Sequence, residues 1–186
     1  GQASVRYDRL HCAQAELGTA DVTVDGEYAG TGRGARAVAR AEADLGPAVM
    51  LGHGEGGMLT PYWVERSDGG FSGGIILAGT PRQMWELVYD QNLAMLEGSS
   101  AETIATAIAQ LDAEKEKLAT LDGMSAEELR TTTVFGIPGP YLAHLNRIDA
   151  LALAHQNNAP LLILQGEEDF QVIYDVDFAA WKAGLA

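Results

Sequence analysis

The stretch VMLGHGEGGML, residues 49–59, changes character in its middle. Its start belongs to the run AVML (48–51), a short unbroken apolar segment such as a strand buried on both faces of a parallel sheet needs. Glycines follow at 52, 54, 56 and 57, and GMLTPYWVER (57–66) then has the composition of a helix or of its first turns. Strand, glycine turn and helix make a βα corner. A corner that aims one residue out of a sheet edge holds it at positive φ, which costs a side-chain-bearing residue about 1 kcal/mol or more. Glycine at position 54 removes that cost. Gly52, Gly56 and Gly57 supply the small neighbours that tight packing of the corner requires. On the turn alone two readings stand level. One is a corner shaped to present a nucleophile, with a hydrogen in the nucleophile's place. The other is a glycine-rich turn with no catalytic purpose.

Working outward, GGIILAG (73–79) and APLLILQG (159–166) are two more short apolar runs bounded by glycine or proline, so both read as buried strands. ASVRY (3–7) and VTV (22–24) read as weaker strands, and TVFGIPGP (133–140) as a loop or turn. Helical segments are expected at 35–45, where ARAVARAEADL stops at Gly46-Pro47, and at 81–98, 143–156 and 177–185. Ser99 to Glu102 and Ser125 to Glu128 have the S-x-x-E pattern of a capping box. Behind the first, Ile104, Ile108, Leu111 and Leu118 recur at helical spacing. Alternating strands and helices imply an α/β class with a mostly parallel sheet and helices on both faces. Residues 83–133 read as a helical lid inserted between two strands of a core made of 1–82 and 134–186.

Composition narrows the partners. The chain has 186 residues, enough for one domain and a small insertion, and a formal charge of −14 with three lysines. Such a surface repels phosphate backbones and anionic lipid, so neither nucleic acid nor membrane is expected as a partner. No apolar run approaches the roughly 18 residues of a membrane span, and GQASVRYDRL lacks the basic start and apolar middle of a signal peptide. A single cysteine, Cys12, excludes an internal disulfide and fits a reducing, cytoplasmic setting. No cysteine–histidine spacing suggests a zinc site, and the acidic stretches lack a calcium-loop pattern. GTGRGA (30–35) imitates a dinucleotide fingerprint. Its third position is Ala35, and the ribose-binding acid would fall near residue 55, inside the corner, so no cofactor is expected.

Four segments resemble the α/β-hydrolases of the bacterial esterase and peptidase-like kind. VRYDRL (5–10) is similar to that family's strand with R-Y-D, and LGHGEGGML (51–59) to its G-H-S-x-G-G-M elbow. FSGGIILAGTPR (71–82) is similar to the following strand with its A-G-T-P-R, and APLLILQGEEDFQV (159–172) to the acid-bearing strand. The resemblance implies a nucleophile at position 54, a triad acid at Asp169, and an oxyanion donor in the backbone amide of Glu55. Position 54 holds glycine, and of His11, His53, His144 and His155 none follows Asp169, where the triad histidine belongs. His53 should point away from the catalytic position, and His144 and His155 read as surface residues. The first strands and the loop with the second oxyanion amide are absent as well, so the sequence reads as truncated at both ends. The expectation is a relative of serine esterases without activity as written, its pocket shaped for a small acyl or ester ligand. The alternative is a non-catalytic binding or assembly protein. Self-association through the lid helices or an open sheet edge is the partner expectation.

Overall fold

The computed structural model describes residues 4, 22–28, 48–67 and 70–186. The elements, in chain order, are β1 (Val49–His53), α1 (Glu55–Met58), α2 (Thr60–Glu65), β2 (Gly73–Leu77), α3 (Met84–Ala94), α4 (Ala101–Leu118), α5 (Ala126–Thr131), β3 (Thr133–Val134), β4 (Ile137–Pro138), α6 (Gly139–Leu145), α7 (Ala150–Gln156), β5 (Leu161–Leu164) and α8 (Ala179–Gly184). A π-helical turn, Tyr174–Phe178, runs straight into α8.

The three apolar runs become three parallel strands in the order β1-β2-β5 among the described residues. The register sets His53 beside Leu77, and Leu77 beside Leu164, so all three strands end level at one carboxyl edge. The architecture is mixed α/β.

One sheet face carries Met50, Gly52, Gly74, Ile76 and Ile163, and α1 and α2 pack there against β1 and β2. Glycine at 74 lets α2 approach: a Cβ there would stand 2.6 Å from the Thr60 methyl. The main core gathers Met58, Leu59, Tyr62, Ile76, Leu145, Ala150 and Trp181 on this side. The opposite face is left open by the described residues, while the helix expected at 35–45 lies outside them. Val49 is 53% exposed, Leu51 60% and Leu162 52%. The described helices thus explain the burial of one face only.

Between β2 and β5 the chain builds a helical segment. Its small second core joins Leu121, Val134, Leu142 and Ala143. Helix α6 is shared: Leu142 and Ala143 face this core, Tyr141 and Leu145 the main one. Of the apolar stripe on α4, Leu111 is buried and Ile108 exposed.

Several boundaries differ from the sequence reading. Thr23 caps a helical turn at 24–28, its Oγ1 accepting from the Gly26 amide at 3.0 Å, so VTV is not a strand. The N-cap of α4 is Ser100, which accepts from the Thr103 amide, not Ser99. The box at Ser125 and Glu128 forms as expected. Segment 143–156 is two helices, because Asp149 accepts from the Ala152 amide and starts α7 afresh. The expected turn at 133–140 holds the two-residue strands β3 and β4 and already contains the start of α6. The expectations for 5–10, Cys12, 30–35 and 35–45 lie outside the described residues.

Candidate active site

Gly54 sits between β1 and α1 at φ +57° and ψ −121°, outside the conformations that residues with a Cβ adopt readily. Its amide donates to the Leu77 carbonyl at 3.0 Å, and its carbonyl accepts from the Met58 amide at 3.1 Å. The corner is therefore pinned by its backbone to the neighbouring strand and to the helix it opens. A Cβ added at Gly54 would meet nothing within 4 Å.

Two of the flanking glycines are sterically required and one is not. A Cβ on Gly52 would come within 2.0 Å of the Gly56 carbonyl oxygen, and one on Gly57 within 3.0 Å of the Gly79 Cα. A Cβ on Gly56 would meet nothing within 4 Å, so the tight contact belongs to Gly57 and Gly79, where α1 crosses the end of β2.

Across β2, the chain leaves β5 at Gln165 and turns through 166–169. The ends of β1 and β5 are two strand spacings apart, about 10 Å. Asp169 Oδ1 accepts from the amides of Gln171 and Val172 at 2.9 and 3.1 Å, and Oδ2 accepts from Gln165 Nε2 at 3.2 Å. A carboxylate has about four acceptor positions. Three are filled from the described chain, and the fourth, on Oδ2, is left for a further donor. The same Gln165 amide donates to the Val172 carbonyl at 2.7 Å, bracing the turn. Gln91 of α3 donates to the Gln171 carbonyl at 3.1 Å, so the helical segment touches the same turn.

Glu55 is the first residue of α1; its carboxylate accepts a hydrogen bond from the Tyr141 hydroxyl of α6. One turn later on α6, His144 does not behave as a free surface residue. Its Nε2 lies 3.2 Å from the Tyr62 hydroxyl, which donates to Asp25 Oδ1 at 2.7 Å. Burial, then the bond to Asp25, pushes the Tyr62 phenol up to about 12. His53 ends β1 on the exposed face with Val49 and Leu51, and His155 bonds the Gly184 carbonyl. His11 lies outside the described residues.

A polar centre that the sequence reading missed lies behind the β2 exit. Asp177 is fully buried. Its Oδ1 accepts from Thr80 Oγ1 at 2.6 Å and from Arg82 Nε at 2.8 Å, and its Oδ2 from the Ile173 amide at 2.8 Å. Arg82 Nη1 reaches Asp90 of α3 at 2.8 Å. Burial alone would lower the Arg82 guanidinium, but the bonds to Asp177 and Asp90 outweigh it and hold it above its ordinary value. The only hint in sequence was the string T-P-R just past a strand; its partner is about a hundred residues away and carries no local mark.

The chain is similar to a known esterase. Over 144 residues it is 27% identical to Esterase EstD of Thermotoga maritima. The match covers 77% of this chain but 32% of that protein, so the chain spans about a third of the length of the curated relative it matches. No family model and no solved structure matches it. No described helix is long and apolar enough to cross a membrane. Among the described residues no group of three or more His, Cys, Asp or Glu could hold a metal ion.

Proposed function

We propose that this chain is an α/β-hydrolase relative of serine esterases, silent as it stands because the nucleophile position is Gly54. The backbone of Gly54 carries the reading: φ +57° at the carboxyl end of a parallel strand, with open space for a side chain. Ligands of open α/β sheets bind outside that edge. In this reading Asp169 holds the acid position, and its remaining acceptor on Oδ2 would serve a histidine. The Glu55 amide, opening α1, is one oxyanion donor. Residues 83–133 are the lid, tied to the core by Arg82–Asp90 and by Gln91, with 1–82 and 134–186 as the core.

The chemistry assigns each part a task. A hydroxyl at position 54 would attack an acyl carbonyl, a histidine would take its proton, Asp169 would orient the ring, and amides would hold the oxyanion. Loss of the nucleophile alone removes roughly a million-fold in turnover in a well-studied serine protease. The unaltered chain should therefore take no label from a fluorophosphonate probe under conditions that label a serine esterase. Stoichiometric labelling would overturn this account. Retention of the pocket is tested by calorimetry with a short-chain acyl phosphonate, for which weak saturable binding is expected.

A second reading, assembly without catalysis, is favoured by one observation: the apolar face carrying Val49, Leu51 and Leu162 stands exposed. Light scattering showing a dimer that Leu51→Glu dissolves would support it.

A further inference from the structure

We infer that Gln165 is a positioning residue for the acid at Asp169, an assignment that rests on the hydrolase reading above and extends it. Gln165 is the first residue beyond β5, level with Ala78 beyond β2 and with Gly54 beyond β1; the Ala78 amide donates to Leu164 at 2.9 Å and the Gly54 amide to Leu77 at 3.0 Å. Gln165 thus follows directly on Leu164, which the sheet holds, whereas Asp169 rides on a turn. The Gln165 amide group spends one N–H interaction on Asp169 Oδ2 and another on the Val172 carbonyl. Oδ1 is already saturated by the Gln171 and Val172 amides. Oδ2 is therefore the oxygen with room for one more donor, and the bond from Gln165 fixes the direction of its remaining lone pair. Without Gln165 the carboxylate keeps Oδ1 in place but loses the constraint that makes one acceptor direction dominant.

The chain supplies no base after Asp169, so the base in the test is free imidazole. In the Gly54→Ser chain, a fluorophosphonate reacts by formation of an Oγ–P bond and cleavage of the P–F bond. Fluoride leaves, and the hydroxyl proton passes to one imidazole nitrogen and then to buffer. The other ring N–H donates to Asp169, which stays ionised throughout. The ends of β1 and β5, about 10 Å apart, set the scale that a five-membered ring with a hydrogen bond on each side has to span.

Labelling is read by intact mass over a series of imidazole concentrations. The Gly54→Ser chain should label slowly without imidazole and faster, saturably, with it. Adding Gln165→Met should leave the imidazole-free rate unchanged and cut the imidazole-dependent part about tenfold, the effect of losing one hydrogen bond to an ionised acceptor. Gln165→Glu, of the same shape but unable to donate, should fail in the same way. Asp169→Asn should abolish the imidazole-dependent part, and Gln165→Met should add nothing to it. If Gln165→Met matches the parent at every imidazole concentration, or lowers both rates equally, the positioning role is refuted. If imidazole does not accelerate the Gly54→Ser chain while Gln165 is intact, the hydrolase reading itself falls, and this inference with it.

Discussion

Gly57 and Gly79 cross so closely that a Cβ on Gly79 would stand 2.7 Å from the Gly57 carbonyl carbon. This contact seats α1 against the exit of β2 and so sets the angle at which the chain leaves Gly54. Gly79→Ala should therefore cost about 1–3 kcal/mol through overpacking of rigid backbone. Gly56→Ala, whose Cβ meets nothing, should stabilise by about 0.5–1 kcal/mol, the helix preference of alanine over glycine. Urea unfolding of the two variants checks the contrast; equal effects would refute it.

The buried Asp177 makes a second prediction. Asp177→Asn keeps the shape but removes the charge that Arg82 Nε faces at 2.8 Å. Breaking a buried ion pair from one side costs about 3–5 kcal/mol, and because Arg82 also holds Asp90, the loss should loosen α3. Arg82→Met with Asp177→Leu should recover part of the stability. Thermal unfolding, with hydrogen exchange along 84–94, reads both effects.

Tyr62 sets an alkaline limit. Its phenol loses a proton at about 12 in the folded chain, against an ordinary value of 10.0. Between those values the unfolded chain has lost the proton while the folded chain keeps it. The stability contributed by Tyr62 is therefore complete below pH 10 and declines as pH rises toward 12. Tyr62→Phe should flatten that part of the stability curve. Phenolate absorbance of the folded chain should also show a late-titrating phenol that Tyr62→Phe removes, beside that of Tyr89, which its bond to Asp112 raises as well. A late phenol that survives unchanged in Tyr62→Phe would contradict the burial of Tyr62 and its bond to Asp25.

The two sheet faces should respond differently. Ile76 is fully buried, and Ile76→Ala should cost about 2–5 kcal/mol. Leu51 is 60% exposed, and Leu51→Gln should change stability by no more than about 0.5 kcal/mol. A large loss at Leu51 would mean that the outer face is covered in solution.

What could be read from the sequence was what is local. The three strands announced themselves because parallel strands are continuous apolar runs, and the glycine corner because its spacing suits no regular element. The break inside 143–156 was hidden: Asn146, Arg147 and Asp149 also suit an exposed helical face, and only the Asp149 cap separates the helices. Two adjacent serines, Ser99 and Ser100, offered competing caps, and Ser100 won by reaching the Thr103 amide. For VTV, β-branching was outweighed by the cap from Thr23. At the candidate site, Gly54 stood out in the glycine corner, and Asp169 only through the resemblance of 159–172 to an acid-bearing strand. The partners Gln165, Tyr141 and Asp177 could not, since their roles arise only when distant segments meet. His144 looked peripheral because nothing local marks its approach to Tyr62 and Asp25.

The backbone bonds that fix Gly54 involve its amide and carbonyl alone, and the space above its α-carbon is empty. Installing a reactive group there asks for no rearrangement of the surrounding atoms, only a modest conformational penalty of about 1–3 kcal/mol. The shape of the corner is thus independent of what side chain position 54 carries: its backbone bonds and the room beside it are the same with or without one.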